Sequence, residues 1–316
     1  MRNAFTKELV KLAEADDRIV LLSGDIGNRL FDEFKHKFKN RFYNCGVAEA
    51  NMASVAAGLA MNGLKPITYT ITPFNTTRCL EQIKIDICYH NLPVIVVGVG
   101  AGLSYGSLGG THHSLEDIAF LRSIPNMKVV CPSDPYEVEV LLRESLKENG
   151  PVYFRIGKKG EKVFHTNKTQ LKIGRANMWA DGNDICIFTV GNILDVGIET
   201  VKGLAEKNIS SRLVNFSTVK PLDIEMLEDC FNKFDTVVTI EEHSIYGGLY
   251  SSICEWACQN FQKIPKIIAF ATRDEFPKKL GSQKYLRDFF GLSSQHITHK
   301  IFNYLKERSC TQQLQS

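Results

Sequence analysis

The chain has 316 residues, enough for about two domains of roughly 150 residues each. Its composition, 44% hydrophobic and 23% charged, excludes a disordered chain, a coiled coil and a collagen-like fibre. The formal charge of +3 arises from 38 basic and 35 acidic residues mixed throughout, without the basic stripe of a nucleic-acid binder, and no apolar run reaches the roughly 18 residues of a membrane helix. The amino terminus lacks the apolar segment of a signal peptide, so a cytoplasmic chain is expected. Nine cysteines with no Cys-x-x-Cys pair read as free thiols packed like small hydrophobes in a reducing compartment.

Apolar periodicity predicts a helix over residues 4–15, a buried strand over 18–23 and a helix over 49–61. Ala48, Met52, Val55 and Leu59 recur on one face of that last helix, and its small residues would let another backbone approach. A strand follows over 65–70, a helix over 76–89 and a fully buried strand over 94–99. A helix over 115–124 and a short strand over 128–131 come next. Asp134 followed by Pro135 is a helix start, with a capping side chain before a first-turn proline. That helix turns at Asn149-Gly150 into a strand over 152–156. Residues 157–177 are polar and break the alternation; they read as the connection between domains. Strand, helix, strand and strand follow over 184–190, 194–207, 211–216 and 236–241. A helix over 249–260, a strand over 266–270 and a helix over 295–306 complete the series, with a frayed tail from Ser309. The expected fold is α/β, with two doubly wound domains at residues 1–160 and 178–316 joined by a linker at 161–177.

Residues 98–113 (GVGAGLSYGSLGGTHH) follow the most buried strand, and ligands in open α/β sheets lie beyond the carboxyl ends of strands. The glycines allow tight turns there, but neither a dinucleotide fingerprint nor a Walker loop is present. His112 and His113 end this loop, and either imidazole could shuttle a proton near neutrality or donate to an oxyanion. Glu49 opens its helix. It is either a first-turn carboxylate favoured by the helix dipole or, if tight packing desolvates it, an acid that shares a proton with a ligand nitrogen. Arg155, at a strand end, suits either bidentate phosphate binding or a surface ion pair. Phe74 and Arg78 lie where the strand over 65–70 gives way to a helix, as core or as a flat stacking wall.

Four segments taken in order, Val47-Ala48-Glu49-Ala50-Asn51-Met52, Arg78-Cys79-Leu80-Glu81-Gln82, Gly110-Thr111-His112-His113 and Pro151-Val152-Tyr153-Phe154-Arg155, resemble the carboxyl-terminal half of transketolases. The resemblance is nearest to the stand-alone carboxyl-terminal subunit of split transketolases and is densest over residues 1–158. Pro221-Leu222-Asp223, Glu241-Glu242-His243 and Tyr246-Gly247-Gly248-Leu249 resemble that family's carboxyl-terminal domain.

The resemblance implies a pyrimidine-binding domain for thiamine diphosphate followed by a transketolase carboxyl-terminal domain. It makes Glu49 the acid that bonds a pyrimidine nitrogen and promotes the tautomer whose exocyclic nitrogen deprotonates the thiazolium carbon. Asp25 would lie near the cofactor, Phe74 or a neighbour would stack on the pyrimidine with Arg78 beside it, and His112, helped by His113, would contact substrate oxygens. Arg155 and Arg2 would bind a sugar phosphate. The family's Gly-Asp-Gly metal motif is absent, which implies that Mg2+ or Ca2+ and the diphosphate are held by an amino-terminal partner subunit, with self-association through the pyrimidine-binding domain. Leu108 stands where many transketolases carry an aspartate that reads a sugar hydroxyl. The implied activity is transfer of a two-carbon ketol unit from a ketose to an aldose by the hetero-oligomer. The alternatives are the beta subunit of a 2-oxoacid dehydrogenase first component and a non-catalytic binding subunit; a 1-deoxyxylulose-phosphate synthase carries both halves on one chain.

Overall fold

A computed structural model describes residues 1–26, 29–165 and 170–313, with side chains described to residue 308. The first half runs α1 (Arg2–Ala15), β1 (Ile19–Ser23), α2 (Asp32–Lys37), β2 (Phe42–Asn44), α3 (Glu49–Met61) and β3 (Lys65–Ile71). One continuous helical stretch follows, opening as a 3-10 turn (Thr77–Cys79), passing through α4 (Leu80–Gln82) and ending as a π-helix (Ile83–Tyr89). Then come β4 (Ile95–Val99), α5 (Asp117–Arg122), β5 (Lys128–Val130), α6 (Pro135–Ser145) and β6 (Val152–Ile156). The second half runs β7 (Asn177–Ala180), β8 (Ile185–Val190), α7 (Leu194–Ala205), β9 (Ser211–Phe216), β10 (Thr218–Lys220), α8 (Ile224–Lys233) and β11 (Thr236–Ser244). It ends with α9 (Leu249–Asn260), β12 (Lys266–Thr272), α10 (Gln283–Phe289) and α11 (Ser294–Gln313), so the last helix continues past the expected end near Lys306.

Two mostly parallel sheets organise these elements, with strand orders β10-β5-β6-β4-β3-β1-β2 and β12-β11-β8-β9-β7. Alternate residues of each strand feed opposite faces. In β4, Ile95, Val97 and Val99 join the core under α1 and α6, while Val96 faces the core under α3 and the helical stretch after β3. The inner face of α3 consists of Met52, Ala53, Ala56, Ala57 and Ala60. Val55, expected on that face, is 42% exposed, because the small alanines are what allow the helix to lie close to the sheet. No described helix is long and apolar enough to cross a membrane.

The two halves are joined by shared structure as well as by the linker. Strand β10 belongs to the second half in sequence, yet it pairs antiparallel with β5 at the edge of the first sheet. The linker is pinned where His165 sits between two buried carboxylates, with Nδ1 3.1 Å from Asp134 Oδ2 and Nε2 3.1 Å from Glu137 Oε1. Glu137 Oε1 also accepts hydrogen bonds from Asn215 Nδ2 (3.1 Å) and Ser217 Oγ (2.8 Å) of the second half. Burial opposes a charge on His165, but the two carboxylates prevail and raise its pKa to about 9. The stabilisation from this site is therefore complete below about pH 6.5 and lost as pH rises through about 9. Denaturation across that interval should show stability falling with pH, and His165→Asn should flatten the slope.

Candidate active site

The carboxyl ends of β1, β3, β4 and β6 lie along one rim of the first sheet and carry the residues singled out from sequence. Glu49 is the first residue of α3 and is 3% exposed. A buried carboxylate needs a partner, and here Arg78 Nη1 donates to Glu49 Oε2 at 2.9 Å. The Arg78 guanidinium also lies 4.1 Å over the Phe74 ring, and Phe74 meets the His112 imidazole edge-on at 5.3 Å. Acid, arginine, aromatic ring and histidine thus form one contact chain across the ends of α3, β3 and the histidine loop. The arginine side chain is 43% exposed, so it is the half of the ion pair that can yield to a ligand.

A pocket of about 650 Å³ opens beside this chain, lined by Phe74, Arg78, Gly110, His113, Glu116 and Phe276 among others. His113 Nε2 lies 3.3 Å from the Gly106 carbonyl, while its buried Nδ1 and the nearby Ser114 Oγ have no partner. Burial pushes the His113 pKa below the usual imidazole value, which favours the neutral ring. His112 is half-buried, with Nδ1 2.9 Å from Thr111 Oγ1. Phe74 and Phe276 give the pocket an aromatic wall, and His113 Nδ1 and Ser114 Oγ are buried polar atoms there that call for a ligand or water. Among the described residues no group of three His, Cys, Asp or Glu is placed to hold a metal ion.

Arg155 requires a correction. Its side chain is 1% exposed, and Nε and Nη2 donate to Asp117 Oδ2 (2.7 Å) and Oδ1 (3.3 Å). Nη2 also donates to the carbonyls of Ser114 (2.9 Å) and Glu242 (3.0 Å). A guanidinium so enclosed ties the histidine loop to β11 of the second half and has no open fork for a substrate anion. The ion pair expected of this strand-end arginine is present, but it is buried rather than at the surface. Asp25 is exposed on the rim and accepts from Asn44 Nδ2 at 3.1 Å; it does not line the pocket. Arg2 is half-buried, its Nε has no partner, and its charge opposes the upward push that burial gives the Tyr105 pKa.

Sequence reasoning missed what the second half contributes. Glu242 Oε2 accepts from the Leu103 N–H at 2.9 Å, and Gln283 and Arg287 donate to the same carboxylate. Gly102 has φ +60, and a Cβ there would run into Glu242, so only glycine admits this approach. Phe276, 80% exposed on the loop after β12, overhangs Gly110. An aromatic within the polar run Arg273-Asp274-Glu275 was the available signal.

Comparison with known proteins agrees with this geometry. The transketolase pyrimidine-binding domain model matches residues 1–160, and the transketolase C-terminal domain model matches residues 174–297. The chain is 34% identical over 261 residues to an apulose-4-phosphate transketolase subunit of Phocaeicola vulgatus, covering 82% of this chain and 84% of that one. It is 33% identical over 298 residues to the 6-deoxy-6-sulfo-D-fructose transketolase subunit SqwH of a Clostridium species, covering 94% and 92%. Among solved structures, one described as a split gene transketolase, inactive beta4 tetramer, superposes with a TM-score of 0.87 at 30% identity, covering 96% and 97% of the two chains. The chain belongs to the transketolase family and corresponds to its carboxyl-terminal section, a pyrimidine-binding domain followed by a transketolase C-terminal domain.

Proposed function

We propose that this chain is the carboxyl-terminal subunit of a heteromeric thiamine-diphosphate transketolase. In this reading it is inactive alone and active with an amino-terminal subunit that supplies the diphosphate and Mg2+ or Ca2+ ligands. The observation that carries the proposal is Glu49, buried and hydrogen-bonded by Arg78, a residue that lines the aromatic-walled pocket. The similarity to a split gene transketolase described as an inactive beta4 tetramer supports the same reading.

When bound, thiamine diphosphate supplies the electron sink on which the bond to the ketol unit is broken and remade. Glu49 shares a proton with the pyrimidine ring nitrogen as Arg78 gives way, and Phe74 forms the wall against which the ring lies. His112 faces the substrate oxygens and moves a proton at them, and His113, kept neutral by burial, donates or accepts through Nδ1. Asp25 borders the cofactor from the rim. With Arg155 enclosed, Arg2 beside Tyr105 is the arginine that meets the anionic end of the sugar. Two relatives are named for apulose-4-phosphate and a sulfo-fructose, both anionic, which favours a phosphorylated or otherwise anionic ketose here. Leu108, 49% exposed in the histidine loop, has no polar atom to read a sugar hydroxyl, so either the preferred sugar differs from the pentose phosphates or another residue makes that contact.

In this reading, exposed apolar side chains meet the partner subunit or a second copy. Val47, Val55 and Met61 at α3 and Ile85 and Tyr89 on the π-helix are all at least 42% exposed. The test is reconstitution: the chain mixed with its candidate partner, thiamine diphosphate and magnesium should transfer a ketol unit, and each subunit alone should not. Decarboxylation of pyruvate without ketol transfer would support the 2-oxoacid dehydrogenase alternative instead.

A further inference from the structure

A second cleft, of about 480 Å³, lies between the linker and the second half and shares no lining residue with the pocket beside Glu49. It opens beyond the carboxyl end of β8. From β8 the chain passes through α7 to β9 on one side, while β11 lies on the other. This reversal of strand order is where open α/β sheets form a ligand crevice. Two buried polar atoms line the cleft without partners, Asn192 Oδ1 (residue 8% exposed) and Ser133 Oγ (2%). A buried, unpartnered polar atom in a native fold calls for a ligand or water.

The charges around the cleft indicate the sign of that ligand. Glu161, Asp195 and Glu199 are already engaged, by the Met1 amino group, Arg287 and Lys202 respectively. Lys158, Lys159, Lys162 and Lys284 also line it, and none of these has a carboxylate partner among the described residues. Against these four ammonium groups stands one unpaired acid, Asp288.

We propose that this interdomain cleft binds a small organic phosphate, with the lysines meeting the phosphate and Asn192 and Ser133 meeting the hydroxyls. The site communicates with the histidine loop. Asn192 Nδ2 and Gln283 Nε2 donate to Ser104 Oγ at 3.1 and 3.5 Å, and Gln283 also holds Glu242, which caps the Leu103 N–H. An occupant that draws on Asn192 or Gln283 therefore alters the support of the loop that carries His112.

Isothermal titration of the full chain without cofactor or partner tests this apart from any activity. Glucose 6-phosphate is the probe, with inorganic phosphate and glucose as separate arms. The expected result is one saturable site per chain for glucose 6-phosphate, weaker binding of inorganic phosphate and none of glucose. The paired substitutions Lys159→Glu and Lys284→Glu, both at exposed positions, should weaken binding at least about tenfold, and Asn192→Asp, of equal shape, should do likewise. Glu49→Gln should leave it unchanged. No saturable binding, binding indifferent to the charge reversals, equal binding of inorganic phosphate, or loss of binding with Glu49→Gln would each overturn the proposal.

Discussion

With partner and cofactor supplied, Glu49→Gln should lower kcat by about 10²–10⁴-fold, the range over which a positioned proton-transfer group contributes. Glutamine matches the size of glutamate and keeps an oxygen to accept from Arg78, so α3 and its alanine face should pack as before. It lacks an exchangeable acid, and the defect therefore falls on turnover rather than on assembly or substrate KM. Steady-state kinetics of the reconstituted complex, with circular dichroism to check the fold, would measure it. Full activity in the variant would remove Glu49 from the chemistry.

Arg155→Ala should cost about 3–5 kcal/mol of stability, the penalty for removing one partner of a buried ion pair. Burial opposes ionisation of Asp117, yet Arg155 holds its carboxyl below the usual range, and the Tyr153 hydroxyl donates to it at 2.5 Å. Removing the guanidinium would leave that charge enclosed and deprive the Ser114 and Glu242 carbonyls of their donor. Lysine in its place would not restore the forked geometry. Urea denaturation measures the loss. A raised KM with unchanged stability would instead return Arg155 to the substrate.

The contrast between these two residues shows what was legible in the sequence. Glu49 stands at the head of a helix whose small residues mark it for close packing, and the helix observed, Glu49–Met61, has the expected bounds. Local pattern carried that information. The partners of Arg155 lie 38 residues away at Asp117 and 87 away at Glu242, and no local period reports such pairings. The alternating strands and helices gave the two-sheet fold its outline, but the short elements escaped. Helix α2 buries only Phe34 and α10 only Leu286, so neither shows an apolar stripe. Strand β10 has three residues and exists through its pairing with β5, a contact made across the domain boundary. Strands β2 and β7 likewise are short and lie at sheet edges. Helix α8 is different: Leu227, Cys230 and Phe231 recur at helical spacing behind Asp223, whose side chain accepts from the Met226 N–H, and that signal was present but not read.

Hydrogen–deuterium exchange at the thiazolium carbon, followed by NMR in the complex of this chain with its diphosphate-binding subunit, thiamine diphosphate and magnesium, reports proton removal without reference to any sugar. Exchange should be faster than in free cofactor and should return toward the free rate with Glu49→Gln. Equal acceleration in both complexes would contradict the assignment of Glu49 as the activating acid.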